Sequence, residues 1–193
     1  MRRSLLALML SVSLLFVAGH YQASAHPRLD AARPGAVGFL YCMDTLKGNI
    51  HLYLCAGDPT DIPDPVVLAA MLEGLTAVYD LTEVFEVDAL LVPMQSTQSP
   101  IPGFRGFYFI QNGYIIVKAS EPDQYRLAYV LGHEIAHGIL DQVKGLHGTE
   151  HHDQLVCQDS LRPIKTLMDY LAGEKLVYDD ARVTQRICGI EGA

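Results

Sequence analysis

Basic residues are scarce in this sequence. Lysine and arginine together number 14, against 22 aspartate and glutamate residues, and the formal net charge is −8. Proteins that bind nucleic acids gain affinity when lysine and arginine side chains release counterions from the phosphates. An acidic chain gains nothing from this effect, so we expect no nucleic-acid partner. The excess of acidic groups favours solubility instead.

The chain also lacks an apolar run long enough for a confident membrane span. Leu5 to Gly19 is apolar, but it is shorter than the roughly 20 residues that a transmembrane helix needs. Arg2 and Arg3 precede this run, and Ala23-Ser24-Ala25 follows it as a small-residue cleavage site. We therefore predict a secretory signal peptide over residues 1–25, with an uncleaved anchor as the alternative. No cysteine closely follows the run, which argues against a lipoprotein.

Residues 26–193 amount to one domain and are enough to bury a sizeable core. We expect this domain to be secreted or periplasmic. We further expect it to be a monomer that has no membrane association once the signal peptide is cleaved.

Cysteine is also rare, and no CxxC pair occurs, which disfavours a zinc site built from four thiolates. All four cysteines lie after residue 25, and an even number in an exported protein favours two disulfides. Three pairings are possible. We favour Cys42–Cys55, across a predicted hairpin, and Cys157–Cys188, which would tie back the C-terminal tail.

Apolar periodicity predicts an α+β fold. The predicted strands cover residues 36–43, 49–55, 83–93, 107–110 and 114–119, with turns at Lys47-Gly48-Asn49 and Asn112-Gly113. The predicted helices cover residues 66–81 after Asp64-Pro65, about 123–141, 150–157 after Thr149, 164–171 and 176–187. We expect a mixed twisted sheet whose hairpins pack on the helix at 123–141, followed by a helical C-terminal part.

That central helix contains the motif His133-Glu134-Ile135-Ala136-His137, or HExxH. Residues four apart on a helix lie about 40° apart around its axis and about 6 Å along it, so both imidazoles can reach one metal ion. Glu134 lies to the side of this pair, where a carboxylate can take a proton from a metal-bound water. The alternative is a surface helix with two solvated histidines. Five of the seven histidines outside the leader lie between residues 133 and 152, which favours the metal.

The segment Tyr125 to Asp153 resembles the active-site helix of the zincin metallopeptidases. It departs from the metzincin pattern HExxHxxGxxH, because Leu140 and Val143 stand at the two further positions. It is closer to gluzincin-like and short-spacer zincins, which include secreted bacterial metallopeptidases. In those proteins a helix soon after HExxH brings the third metal ligand.

The resemblance implies a small zincin-like domain with one catalytic Zn²⁺ and a peptide or protein substrate. His133 and His137 would bind the zinc, and Glu134 would be the general base. The hairpin at 107–119 would supply the edge strand to which a substrate backbone adds, or it would be an ordinary part of the sheet.

A catalytic zinc needs three protein ligands and one open position. If Leu155 and Val156 face the core of an α-helix, His152 faces the same way one turn earlier, and we prefer it as third ligand. His147-Gly148-Thr149-Glu150 resembles the third-ligand segment of SprT-like zincins, which makes His147 the second candidate. Glu150, His151 and Asp153 also remain open.

Two further predictions concern groups around this site. Asp153 and Asp159 are candidate hydrogen-bond partners of a ligating histidine. Tyr170 or Tyr178 could offer a hydroxyl to an oxyanion, although packing is the commoner role of such tyrosines. Two alternatives to a zinc-dependent peptidase remain: a non-catalytic zinc-binding or interaction domain on the same scaffold, and an amidase acting on cell-wall peptides.

Overall fold

The computed structural model describes residues 41–92, 106–109, 114–118, 123–148, 150, 153–178 and 188. They form a mixed α and β structure with one five-stranded sheet. The strands are β1 (Tyr41–Lys47), β2 (Ile50–Ala56), β3 (Phe85–Val92), β4 (Gly106–Phe109) and β5 (Tyr114–Lys118). The expectation of a mixed sheet containing hairpins is confirmed.

The strand order is β1-β2-β3-β5-β4. An antiparallel pair lies at each edge, β1 with β2 and β4 with β5. The two pairs are joined by β3, which runs parallel to both β2 and β5. The chain therefore passes from β3 to the far edge, forms β4, and returns to insert β5 between them.

The first hairpin brings two cysteines directly opposite each other. Cys42 pairs with Cys55 in the β1–β2 register, and their sulfurs form a disulfide with the Cα atoms 4.1 Å apart. Cys157 and Cys188 form the second disulfide. Both predicted pairings are confirmed, and disulfides are typical of oxidising compartments.

The helices are α1 (Pro65–Val78), α2 (Gln124–Gln142) and α3 (Arg162–Ala172), and a short 3₁₀ helix covers Pro59–Asp61. Helix α1 begins as predicted. The Asp64 side chain accepts a hydrogen bond from the Val66 N–H at 2.7 Å, and Pro65 has no backbone N–H that would need an acceptor. None of the helices in the described ranges combines the length and hydropathy needed to cross a membrane.

All three helices share one hydrophobic core with one face of the sheet. Strand β2 contributes alternate residues to it, as its period of two requires. The fully buried side chains of this core include Ile50, Leu52 and Leu54 from β2, Met71 and Leu72 from α1, Leu131 and Ile135 from α2, and Met168 from α3. Helix α2 is therefore fixed against the sheet along its apolar side.

The C-terminal part differs from the sequence-based expectation in three places. Residues Asp153–Cys157 form a π-helical turn rather than part of an α-helix. Helix α3 begins at Arg162 rather than after Pro163, because a helix tolerates proline in its first turn. Leu176 to Tyr178 have no regular secondary structure, so the helix predicted over 176–187 does not begin where expected.

Several predictions lie outside the described residues. They include the signal peptide over 1–25, the Asn112-Gly113 turn and residues 179–187 of the last predicted helix.

Candidate active site

Helix α2 carries the HExxH motif and begins at the predicted cap. The Asp123 carboxylate accepts hydrogen bonds from the backbone N–H groups of Tyr125 and Arg126 at 2.9 and 3.3 Å. These bonds satisfy donors that have no partner inside the helix. The helix then continues for 19 residues, so the motif lies in regular α-helix well away from either frayed end.

The two motif histidines are neighbours on one side of α2. The ring centroids of His133 and His137 lie 4.9 Å apart, and the ring planes meet at 71°. His137 is buried, and His133 is partly exposed. Their spacing along the helix thus produces the adjacency that a shared metal ion requires.

The Glu134 carboxylate lies against the backbone of the outermost strand, β4. A Cβ atom built on Gly106 would lie 2.6 Å from Glu134 Cγ and 2.7 Å from Glu134 Cδ. Atoms of real side chains do not approach that closely, so any larger residue at position 106 would force the Glu134 side chain to move. Glu134 is 7% exposed and therefore sits in a narrow space between the helix and this strand.

The sequence did not point to Gly106, because the predicted strand began only at residue 107. The available signal was its position directly before a strand-like run, since glycine at a strand often marks close approach of another group.

Aromatic rings line the N-terminal side of His133. The Tyr129 ring meets His133 edge-on with centroids 6.5 Å apart, and Tyr178 packs on Tyr129 at 4.3 Å. The Lys165 ammonium lies 5.7 Å from the Tyr129 centroid. Burial, followed by the nearby Asp169 carboxylate, raises the pKa of Tyr178, so its hydroxyl stays protonated at neutral pH.

Tyr170, the other tyrosine predicted as an oxyanion partner, is 81% exposed on α3. The assignment of either tyrosine to an oxyanion stays a prediction.

The preferred third ligand, His152, lies outside the described residues, as does His151. His152 was preferred for an α-helix that continues through Val156, but the π-helical turn changes the angle between successive side chains. Leu155 is nonetheless buried and Val156 partly buried, as predicted. His152 therefore remains a prediction.

The remaining third-ligand candidates are on the surface. Glu150 and Asp153 are exposed, and His147 is 74% exposed. Within the ranges that the structure describes, no three His, Cys, Asp or Glu side chains form a group that could hold a metal ion.

Asp153 and Asp159, the two carboxylates predicted to support a ligand, differ in their surroundings, because Asp153 is exposed and Asp159 is partly buried. Asp159 accepts hydrogen bonds from Arg162 at 3.0 Å and Lys165 at 3.2 Å near the start of α3. Burial alone would raise the pKa of Asp159, but these two cations outweigh it and lower the pKa.

A third carboxylate, Asp141, was not predicted to have a role, and it contacts a histidine directly. Its Oδ1 lies 2.7 Å from Nδ1 of His147. The sequence could have indicated Asp141, because it lies four residues after His137 and eight after His133 and so on the same side of α2.

A scan of the chain against models of known protein families finds no match, and a search of curated proteins finds none either. The chemistry of the site must therefore be argued from its own residues.

Proposed function

We propose that this chain is an exported, zinc-dependent peptidase of the HExxH type with a zincin-like fold. The observation that carries the proposal is the arrangement around Glu134. Two imidazoles lie side by side on α2, and a buried carboxylate between them in sequence is pressed against the outermost strand of the sheet. A structural zinc site has no need of a carboxylate held in this way.

The two motif imidazoles suit a zinc ion as part of its ligand set. Imidazole nitrogens are common zinc ligands, and His133 and His137 would supply two of them. When bound, zinc would polarise a water molecule and the scissile carbonyl. His152 is the preferred third ligand, and the resemblance of the motif to the zincins supports one catalytic ion.

Glu134 would act as the general base in this reaction. It would take a proton from the attacking water and return it to the leaving amine. Burial against Gly106 limits its rotamers, which favours a fixed position for proton transfer.

Strand β4 supports a peptide substrate in particular. It is the last strand of the described sheet and pairs with β5 along one side. An extended peptide can add to such an edge through main-chain hydrogen bonds, which would bring its backbone beside Glu134. The two disulfides support a secreted or periplasmic location for the enzyme.

The test is Glu134→Gln in the exported chain, measured with a peptide library in the presence and absence of a chelator. We expect hydrolysis by the unsubstituted protein to require metal, and the variant to lose between about 100- and 10,000-fold of its rate because it lacks a base. Zinc content, measured by elemental analysis, should stay near that of the unsubstituted protein.

Glu86→Gln is a matched control, because Glu86 is an exposed glutamate on β3. Full activity in Glu134→Gln would show that the base is assigned wrongly. Zinc binding without hydrolysis of any library peptide would favour the non-catalytic alternative, and hydrolysis of cell-wall peptides alone would favour the amidase.

A further inference from the structure

The two motif histidines differ in how the fold supports their rings. His137 is only 8% exposed, so its surroundings restrict the imidazole directly. His133 is partly exposed, and its orientation depends more on the groups that contact it. Tyr129 is such a group, because it lies four residues earlier on the same side of α2. Its ring meets the His133 ring with the planes at 63° and the centroids 6.5 Å apart, an edge-to-face arrangement that aromatic rings favour.

Tyr129 is in turn covered by residues from another part of the chain. Its side chain is only 4% exposed. Tyr178 packs on it with the ring centroids 4.3 Å apart and the planes at 54°. The Lys165 ammonium lies 5.7 Å from the Tyr129 centroid, within the range of a cation–π contact. A change of the Tyr129 rotamer would therefore require Tyr178 to move.

Tyr178 reaches Tyr129 because the chain turns back after α3. Gly173 caps the end of α3 with a φ of 73°, a left-handed conformation that glycine adopts readily. Leu176 is 7% exposed in the common hydrophobic core, and its backbone N–H donates to the Asp169 carboxylate at 2.9 Å. These contacts fix the path of the chain two residues before Tyr178. The contact between Tyr178 and Tyr129 thus comes from the tertiary fold rather than from helical spacing.

We propose that Tyr178 is a positioning residue for His133 and acts through the Tyr129 ring. The segment after α3 would in this way orient the more exposed histidine of the motif for zinc. This inference rests on the proposed function. A metal site with oriented ligands binds more tightly, because less conformational freedom is lost on binding. The positioning role belongs to the ring of Tyr178, whereas the oxyanion role predicted from the sequence belongs to its hydroxyl.

The test compares Tyr178→Leu, Tyr129→Leu and the double variant in the full exported chain. Leucine retains apolar volume without the aromatic ring, so we expect these variants to fold. The readout is the dissociation constant for Zn²⁺ alone, measured by competition with a chelator. We expect Tyr129→Leu to weaken zinc binding by about 10- to 100-fold, the range for groups that support metal ligands, and Tyr178→Leu by about 10-fold. The double variant should be no weaker than Tyr129→Leu, because Tyr178 acts through that ring.

NMR spectroscopy of the metal-free protein gives a readout that a general loss of stability would not move. The imidazole signals of His133 should shift in Tyr178→Leu, because the Tyr129 ring beside His133 is no longer held. The signals of His51, which lies on β2, should stay unchanged in the same spectrum.

Two further variants serve as controls. Tyr178→Phe keeps the ring and removes only the hydroxyl, so its zinc affinity and its His133 signals should match those of the unsubstituted protein. Tyr170→Leu is the matched substitution of a tyrosine that is 81% exposed on α3. It should leave both readouts unchanged.

Unchanged zinc affinity in Tyr178→Leu would overturn this inference while leaving the proposed peptidase intact. Additive losses in the double variant would also overturn it, since Tyr178 would then act by a route other than Tyr129. An equal loss of affinity in Tyr178→Phe would assign the effect to the hydroxyl and contradict a role for the ring. Absence of zinc binding by the unsubstituted chain would instead remove the proposed function on which the inference depends.

Discussion

The two edges of the sheet carry the same kind of antiparallel strand pair in different settings. At one edge, β1 and β2 are joined by the Cys42–Cys55 disulfide, and the outer strand exposes polar groups such as Asp44. At the other edge, β4 begins at Gly106, where the Glu134 side chain packs against the strand backbone. Both edges have the same antiparallel pairing, so the difference between them lies in the disulfide at one edge and the neighbouring helix at the other.

In the proposed function, one edge of the sheet contributes stability and the opposite edge contributes the chemistry. The disulfide-linked edge has a covalent bond that restricts the unfolded chain. At the edge beside α2, Gly106 has no side chain, and this leaves room for the Glu134 carboxylate. Substitutions at each edge test this division.

Gly106→Ala should have the largest effect and should act on activity. The added Cβ would overlap the Glu134 side chain and displace this proposed general base from its position. We expect peptide hydrolysis to fall between about 100- and 10,000-fold, as for loss of a positioned base, with zinc content unchanged.

Gly57→Ala is the matched control, because a Cβ at Gly57 would meet no atom within 4 Å. Activity equal to the unsubstituted protein in Gly106→Ala would contradict the close contact as a functional feature of this edge.

The double substitution of Cys42→Ala and Cys55→Ala should come next and should act on stability. The disulfide closes a loop between residues 13 apart, and its removal should lower the free energy of unfolding by about 3 kcal/mol. Urea unfolding measures this loss. Hydrolysis below the unfolding midpoint should be unaffected, since Glu134 lies at the other edge. A folded variant that had lost its activity would show that the two edges are coupled.

His51→Ala should have the smallest effect. His51 contacts Asp44 at 2.6 Å, and Glu86 lies 3.8 Å away, but all three side chains are well exposed to solvent. Exposed pairs of this kind contribute less than about 1 kcal/mol, so the unfolding free energy should change by no more than that. A larger loss in urea unfolding would show that this edge relies on charge as well as on its disulfide.

Local signals predicted most of the elements. Asp64-Pro65 and Asp123 mark helix starts, because their side chains and backbone act within a few residues. Cys42 and Cys55 could be paired for the same reason, since a hairpin places them opposite each other. The adjacency of His133 and His137 could likewise be predicted, because it depends only on helical spacing.

Contacts between distant segments could not be predicted in the same way. The insertion of β5 between β3 and β4 joins strands that lie far apart along the chain. The approach of Gly106 to Glu134 arises from that arrangement, and the π-helical turn at Asp153–Cys157 breaks the regular angle used to choose His152. The contact between Asp141 and His147 needs the path of the turn after α2, which periodicity does not define.

The position of β3 also has a consequence for the order in which the protein folds. The two edge pairs are hairpins of near neighbours, which form within about 1–10 μs. Strand β3 pairs only in parallel, and both partners lie far from it along the chain. Because the entropy of closing those long loops is lost before the pairing contributes any free energy, we expect docking of β3 to be slower than formation of the two hairpins.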